Sequence, residues 1–153
     1  MMKGISYRSV SPVDLNVQAL IQKLNEYQIG LYGIENCNLE PPDEMIKNQA
    51  FMIGAFLNED LIGIGSIKLV EDHAEIKRMY LEKSYRGLGV AETIIQHLEE
   101  YAVKQGVKRI CLETGNKHVA AMKFYERLGY HRIEQFGNYQ PNAVSVYYEI
   151  VKD

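Results

Sequence analysis

Two glycines in a short loop carry the clearest chemical signal of this chain. Residues 86–91 read Arg-Gly-Leu-Gly-Val-Ala, and they follow an apolar-rich run at residues 76–81. The pattern predicts a strand, a tight glycine loop and then a helix, whose first N–H groups have no partner within the helix. The helix dipole adds partial positive charge at the same end. Such a loop is suited to binding a phosphate group.

The spacing of the loop excludes the two best-known phosphate-binding motifs. Glu92 stands where a dinucleotide-binding loop needs its third glycine, and no Lys-Ser or Lys-Thr pair follows as in a Walker loop. The pattern that remains is Arg-x-x-Gly-x-Ala. The loop therefore indicates a phosphate ligand held in a different type of site.

A second block of the sequence agrees with the glycine loop. Asn116, Ala121, Tyr125 and the pair Gly129 and Tyr130 follow the pattern Asn…Ala-x-x-x-Tyr-x-x-x-Gly-aromatic. Together the two blocks resemble the GNAT-type N-acetyltransferases, which move an acetyl group from acetyl-CoA to an amine. Tyrosine replaces the usual phenylalanine at the last position of the block. The resemblance is strong from residue 75 to residue 130.

The resemblance implies that acetyl-CoA is the co-substrate and that the glycine loop holds its pyrophosphate. It also implies that the end of the preceding strand offers backbone groups to the pantetheine arm, and that Asn116 contacts this arm. The implied cofactor-binding residues are Met79, Tyr80, Leu81, Arg86, Gly87, Leu88, Gly89, Val90, Ala91 and Asn116. No Ser-His-Asp or Cys-His set is visible in the sequence, and the resemblance implies direct attack of the amine on the thioester.

Tyr125 is the predicted acid for the leaving thiolate. A phenol keeps its proton at neutral pH and can give it to a thiolate. Tyr125 also lies on an apolar helical stripe, where a tyrosine can serve the core alone. Its position in the second block, which is the tyrosine position of the family, favours the catalytic interpretation.

Glu75 is the predicted base for the acceptor amine. It stands at the start of the strand that leads into the glycine loop, where it could deprotonate an ammonium group through a water molecule. A surface carboxylate paired with Lys77 is the alternative reading, and Glu113 and His73 are rival bases. Strand alternation places Glu75, Lys77 and Met79 on one face of the sheet.

The acceptor is expected to be the primary amine of a small molecule. By analogy with the family, residues 31–43 and 136–139 form the walls of the acceptor pocket, with Tyr32 and Tyr139 as substrate-binding residues. The acidic side chains of the first segment fit an amine better than an anion. Acetylation of a protein N-terminus and an acyl-CoA sensor without transfer activity are the alternatives, as is a nucleotide enzyme that uses the same loop.

The elements that must position these residues predict a mixed α/β (α+β) fold in one domain, residues 1–153. Strands and helices alternate without strict βαβ repetition, which indicates a partly antiparallel sheet. The resemblance implies about six to seven strands flanked by about four helices. Strands are predicted at residues 5–10, 50–57, 61–70, 74–81, 108–114 and 143–151. Helices are predicted after an N-cap at Ser11, at residues 43–48 and 89–105, and at 117–128 after an N-cap at Asn116.

Composition narrows the class of protein further. The 153 residues carry a net charge of −3, yet residues 1–76 are net acidic and residues 77–132 are net basic, which suits an amine acceptor and an anionic cofactor. Two free cysteines, scattered histidines and the lack of a long apolar run predict a cytoplasmic chain without a metal. We expect neither nucleic acid nor membrane as a partner, and a homodimer stays open.

Overall fold

The computed structural model describes residues 4–137 and 143–153, and among them seven strands form one mixed sheet. The strands are β1 (Ile5–Ser9), β2 (Phe51–Leu57), β3 (Asp60–Leu69), β4 (Ala74–Leu81), β5 (Arg109–Gly115), β6 (His131–Ile133) and β7 (Ser145–Val151). Their order across the sheet is β1-β2-β3-β4-β5-β7-β6. Only β4 and β5 pair in parallel, and every other neighbouring pair is antiparallel. The predicted mixed, partly antiparallel sheet is confirmed.

Four helices cover the two faces of this sheet in the described residues. They are α1 (Leu15–Tyr32), α2 (Pro42–Lys47), α3 (Val90–Lys104) and α4 (Val119–Arg127). One face is packed by α3 and α4, whose buried Ile94, Leu98 and Tyr125 join the larger core. The other face is packed by α1 and α2, through residues such as Val17 and Met45. Among the described residues, no helix combines the length and the apolar character that crossing a membrane requires.

The predicted start of the first helix is wrong. Asp14, not Ser11, is the N-cap residue, because the Asp14 carbonyl accepts the first helical hydrogen bond, from the Gln18 N–H at 2.9 Å. Ser11 instead lies in a turn, in which its own N–H donates to the Asp14 carboxylate at 3.1 Å. The helix therefore begins at Leu15, which is exposed.

The predicted cap at Asn116 is also wrong. The N-cap residue of α4 is His118, whose carbonyl accepts from the Met122 N–H at 3.1 Å. Asn116 is held elsewhere, because its N–H and its side-chain amide donate to the carbonyls of Val144 and Ala143 at 2.8 and 3.1 Å. These bonds tie the end of β5 to the segment that enters β7.

Candidate active site

The parallel strands β4 and β5 separate after three paired positions. Ala74, Glu75 and Ile76 pair with residues 110–112, and the described residues show no pairing of the two strands beyond Leu112. Both strands continue, to Leu81 and to Gly115. The second half of β4 therefore presents backbone N–H and C=O groups to an open gap, where an extended ligand can pair with them.

A β-bulge in β4 lies beside this gap. Arg78 and Met79 together oppose the single residue Gly65 of β3, and Arg78 has a left-handed backbone with φ of 58°. A Cβ on Gly65 would collide with Met79 Sδ and lie 2.7 Å from a methyl of Ile94, so a larger residue there would require both side chains to move. The extra residue leaves part of the β4 backbone unpaired at the bulge.

The bulge also corrects the predicted faces of β4. Met79 packs against the core on the α3 side, together with Ile76, whereas Arg78 donates a hydrogen bond to Asn25 of α1. The predicted alternation had placed Met79 with Glu75 and Arg78 with Ile76. The inserted residue shifts the period by one, which exchanges the faces of the residues that follow.

A cleft of about 290 Å³ runs from the end of β4 along α3 to α4, and Leu24 and Tyr27 of α1 also line it. Of the predicted cofactor-binding residues, it is lined by Met79, Tyr80, Leu81, Arg86, Gly87, Gly89, Val90 and Ala91. Leu88 and Asn116 do not line it. The Arg86 guanidinium donates from Nε to the Leu81 carbonyl at 2.9 Å, so it links the loop to the end of β4.

The glycine loop leaves the start of α3 open. Gly87 and Gly89 have φ of 81° and 85°, and a Cβ at either position would meet no atom within 4 Å. Gly89 is the N-cap residue of α3 and supplies no side chain to the first N–H groups of the helix. These N–H groups and the positive end of the dipole are therefore available to an anion in the cleft.

Tyr125 reaches the same cleft from α4. Its side chain is buried between the rings of Phe124 and Tyr130, with ring centroids 5.1 and 5.8 Å away. Burial raises the pKa of the Tyr125 phenol, because the charged phenolate would be poorly solvated there. The phenol thus keeps its proton throughout the neutral range.

The opposite side of the gap carries a buried group of charges, Glu40, Lys77, Arg78 and Glu113, which we call the charged cluster. Lys77 Nζ lies 3.7 Å from Glu40 Oε1, and Glu113 accepts a hydrogen bond of 2.7 Å from Ser145 Oγ. Burial raises the pKa of Glu113 and lowers the pKa of Lys77 and of Arg78. Glu40 belongs to the acidic segment 31–43 that was expected to line the acceptor pocket, whereas Arg78 was not predicted as a site residue. Two adjacent cations, Lys77 and Arg78, in an apolar strand were the signal for this cluster.

Glu75 and His73 lie further from the open part of the gap. Glu75 Oε1 is 3.2 Å from His73 Nε2, and His73 Nδ1 is 2.8 Å from Asp72 Oδ1. Glu75 sits within the paired part of β4, opposite Cys111. Glu113, in contrast, is the first residue of β5 beyond the last pair. The catalytic role of Glu75 stays a prediction, and Glu113 is the carboxylate nearer to the place where the strands part.

The two tyrosines predicted to bind the acceptor have different outcomes. Tyr32 ends α1, and its hydroxyl accepts a hydrogen bond from the Lys117 N–H at 3.1 Å. It also lies directly against Gly115, where a Cβ would collide with the hydroxyl. Tyr32 thus joins the end of α1 to the loop before α4, and its contact with substrate stays a prediction. Tyr139 lies outside the described residues.

Comparison with known proteins gives consistent matches. The family model described as the acetyltransferase (GNAT) family matches residues 17–130. An IAA acetyltransferase of Azospirillum brasilense is 25% identical over 150 residues, which cover 97% of this chain and 98% of that protein. Other curated relatives are matched over shorter stretches, which cover 31% to 63% of their length.

Two solved structures extend this similarity to the fold. A Klebsiella pneumoniae protein described as an acyl-CoA N-acyltransferase is 26% identical, with a TM-score of 0.80 and 95% of each chain covered. A Bacillus anthracis protein described as a streptothricin acetyltransferase, solved in complex with acetyl coenzyme A, is 28% identical with a TM-score of 0.58. That comparison covers 67% of this chain and 62% of the other.

Proposed function

This chain belongs to the acetyltransferase (GNAT) family and is an acetyl-CoA-dependent N-acetyltransferase, and we propose that it acetylates the primary amine of a small molecule by direct attack. One observation carries the proposal. The gap between β4 and β5 is bordered by a cleft that contains the open start of α3 and by a largely buried group of charges. The cleft suits acetyl-CoA, and the charged cluster suits the acceptor.

The residues of the cleft fit the parts of acetyl-CoA in order. The open space at Gly87 and Gly89 and the N–H groups of α3 would bind the pyrophosphate. The unpaired edge of β4 from Met79 to Leu81 would hydrogen-bond the pantetheine arm as a neighbouring strand would. The thioester then reaches the gap, near Tyr125.

Three groups would carry the chemistry of transfer. The bulge at Arg78 and Met79 offers a backbone N–H to the oxyanion that develops on the thioester carbonyl. Tyr125 would protonate the departing thiolate, for which its raised pKa is suitable. The acceptor amine attacks only when neutral, so a base must remove a proton from its ammonium form.

We place this base at Glu113 rather than at Glu75, the choice made from the sequence alone. Glu113 borders the open part of the gap, and burial raises its pKa toward the range in which a general base is effective. Glu75 is enclosed beside His73 in the paired part of the strands. Both carboxylates can be tested separately.

A small acceptor is supported by the enclosure of the charged cluster. Lys77 and Glu40 expose only 11% and 9% of their side chains, so a ligand that reaches them must be narrow. The similar proteins described as IAA and streptothricin acetyltransferases are named for small molecules. One curated relative is an N-alpha-acetyltransferase of Schizosaccharomyces pombe, which is 35% identical over 72 residues. Peptides with free N-termini are therefore the acceptors to compare with small amines.

The acceptor class can be measured by the release of free CoA thiol. Purified protein with acetyl-CoA is given small primary amines in one series and peptides with free N-termini in the other. We expect turnover with members of the first series and background rates with the second. Faster turnover of peptides would contradict the small-molecule assignment, and thiol release that does not depend on amine would contradict transfer.

A further inference from the structure

Arg78 is the least satisfied charged group in the described part of the chain. The residue is 94% buried, since only 6% of its surface is exposed. Its Nη2 donates to Asn25 Oδ1, but its Nε–H is buried and has no hydrogen-bond partner among the described residues. A buried donor without an acceptor costs free energy, and the cost is larger when the donor is charged.

The carboxylates around Arg78 are already engaged by other groups. Lys77, the preceding residue, is a second and largely buried cation, and Glu40 interacts with both. The other oxygen of Glu40 accepts from Asn48 Nδ2 at 2.6 Å. Glu113 accepts from Ser145 Oγ and interacts with Lys77. The charged cluster therefore leaves the Arg78 Nε–H without an acceptor among the described residues, although it contains two carboxylates.

A carboxylate is the ligand group that completes this arrangement. The guanidinium of arginine presents N–H groups in a planar fork that matches the two oxygens of a carboxylate. Since Nε is closed off from solvent, a carboxylate can reach it only if the side chains that cover the guanidinium move. The left-handed backbone of Arg78 turns its side chain toward α1 and away from the α3 core.

We propose that the acceptor is an amino acid, whose carboxylate binds Arg78 and Lys77 while its amine points into the gap between β4 and β5. This inference rests on the proposed function and names its substrate class. Arg78 and Met79 share the bulge that borders the gap. An α-amino acid carries its amine and its carboxylate on one carbon, so one small ligand presents both the nucleophile and the acceptor that the Arg78 Nε–H lacks among the described residues. A polyamine would bring no such acceptor.

The test compares each amino acid with two analogues that lack the negative charge of its carboxylate. The panel contains L-amino acids, their C-terminal amides and the corresponding decarboxylated amines, each assayed by thiol release. We expect the acid of at least one set to have a kcat/KM roughly tenfold to a hundredfold above its amide and its amine, as for loss of a hydrogen bond to a charged group. Equal or faster turnover of amides or amines in every set would overturn the inference and leave acetyl transfer standing.

A variant pair locates the preference at Arg78. In Arg78→Gln, the ratio of kcat/KM for the preferred amino acid to kcat/KM for its amide should fall toward one, whatever the variant does to the two rates together. Arg78→Lys keeps the charge without the fork and should lose part of the preference. Arg132→Gln, on the exposed strand β6, is the matched control and should keep the parent ratio.

The ratio of kcat/KM for the acid to kcat/KM for the amide is measured within one protein sample. It therefore does not change if part of the Arg78→Gln protein is unfolded. An unchanged ratio in Arg78→Gln would overturn the assignment to this residue. If no amine of any class releases thiol, the binding of the same acids and amides is measured by calorimetry in the presence of CoA. Preferential binding of acids would then support the carboxylate site although transfer fails, and no preference would overturn it.

Discussion

At the scale of single residues, two groups with raised pKa values lie on opposite faces of the sheet at the same gap. Tyr125 is held protonated by burial on the cleft side, and Glu113 is buried on the side of the charged cluster. An acid for the thiolate and a base for the ammonium are the two proton-transfer groups that amine acetylation requires.

Tyr125→Phe tests the acid directly. The variant removes one hydroxyl and leaves the buried ring, so acetyl-CoA affinity should stay near the parent value. Turnover should fall by roughly a hundredfold, the usual scale for a lost general acid. Tyr101→Phe is the matched control, because its ring stacks on Phe51 at 4.1 Å outside the cleft. Full turnover in Tyr125→Phe would show that the tyrosine serves only the core.

Glu113→Gln and Glu75→Gln test the base through the pH dependence of the rate. Protonated Glu113 cannot accept a proton, so the parent rate should fall as pH falls through its raised pKa. Glu113→Gln should be slowest relative to the parent near neutral pH and should recover at high pH, where the amine is neutral without help. If Glu75→Gln shows this pH dependence and Glu113→Gln has the rate of the parent, the base is Glu75.

The same carboxyl makes a prediction for stability. Because burial raises the pKa of Glu113 in the folded state, its contribution to stability is fully present below the ordinary value of about 4.3 and is lost as pH rises through the raised pKa. The melting temperature of the parent should therefore fall relative to that of Glu113→Gln over this interval. Parallel curves for the two proteins would show that the folded-state pKa is not raised.

At the scale of elements, α3 begins and ends with a glycine of the same conformation. Gly89 and Gly106 have φ of 85° and 83°, and a Cβ at either would meet nothing within 4 Å. Only Gly89 lies in the cleft. The same substitution at Gly89 and at Gly106 therefore distinguishes an effect on ligand binding from an effect on the backbone.

Gly89→Asp should weaken acetyl-CoA binding by about tenfold or more, because its carboxylate would occupy the anion site at the start of the helix. Gly106→Asp should bind acetyl-CoA like the parent. A negative charge stabilises the start of a helix and destabilises its end, so Gly106→Asp should be the less stable variant of the two. Calorimetry and melting measure both quantities, and unchanged affinity in Gly89→Asp would contradict the phosphate loop.

The sequence predicted the elements that obey local rules and missed those that depend on neighbours. The strand β4 and the helix α3 were predicted closely, because periodicity and the glycines at Gly89 and Gly106 mark them. The bulge at Arg78 was not predicted, because arginine alone rarely adopts a left-handed backbone. Its conformation depends on the neighbours Gly65 and Asn25, which are distant in the sequence. The gap itself arises from where the pairing of β4 and β5 stops, which no local pattern records.

The candidate site shows the same division. The motif residues Gly87, Gly89 and Tyr125 could be assigned to one site through their resemblance to the family's two sequence blocks, and all three line one cleft. The charged cluster could not, because Glu40 reaches Lys77 across 37 positions of the chain and only the folded sheet brings them together. His131–Ile133 was missed as a strand because three residues are too few for a periodic signal.

At the scale of the whole molecule, two environments of different charge border the gap between β4 and β5. The cleft presents the start of α3 to an anion, and the charged cluster lies on the α1 side of the sheet. A ligand that binds only the folded protein stabilises it by about 2.7 kcal/mol at a hundred times its dissociation constant. Acetyl-CoA at that excess should raise the melting temperature by roughly 5 to 10 °C.

ATP and NAD are the controls for this shift. At equal concentration they should raise the melting temperature much less, because the cleft has neither a Walker loop nor a dinucleotide loop. An equal shift with ATP would favour a nucleotide as the natural ligand.

The most direct test of the account follows the acetyl group itself. Acetyl-CoA labelled with ¹³C in the acetyl group is incubated with the protein and a primary amine, and free thiol and acetylated amine are measured together by mass spectrometry. The account predicts one labelled N-acetyl product for each thiol released, with both signals falling together in Tyr125→Phe. Thiol release without a labelled amide, or product that does not depend on the protein, would contradict it.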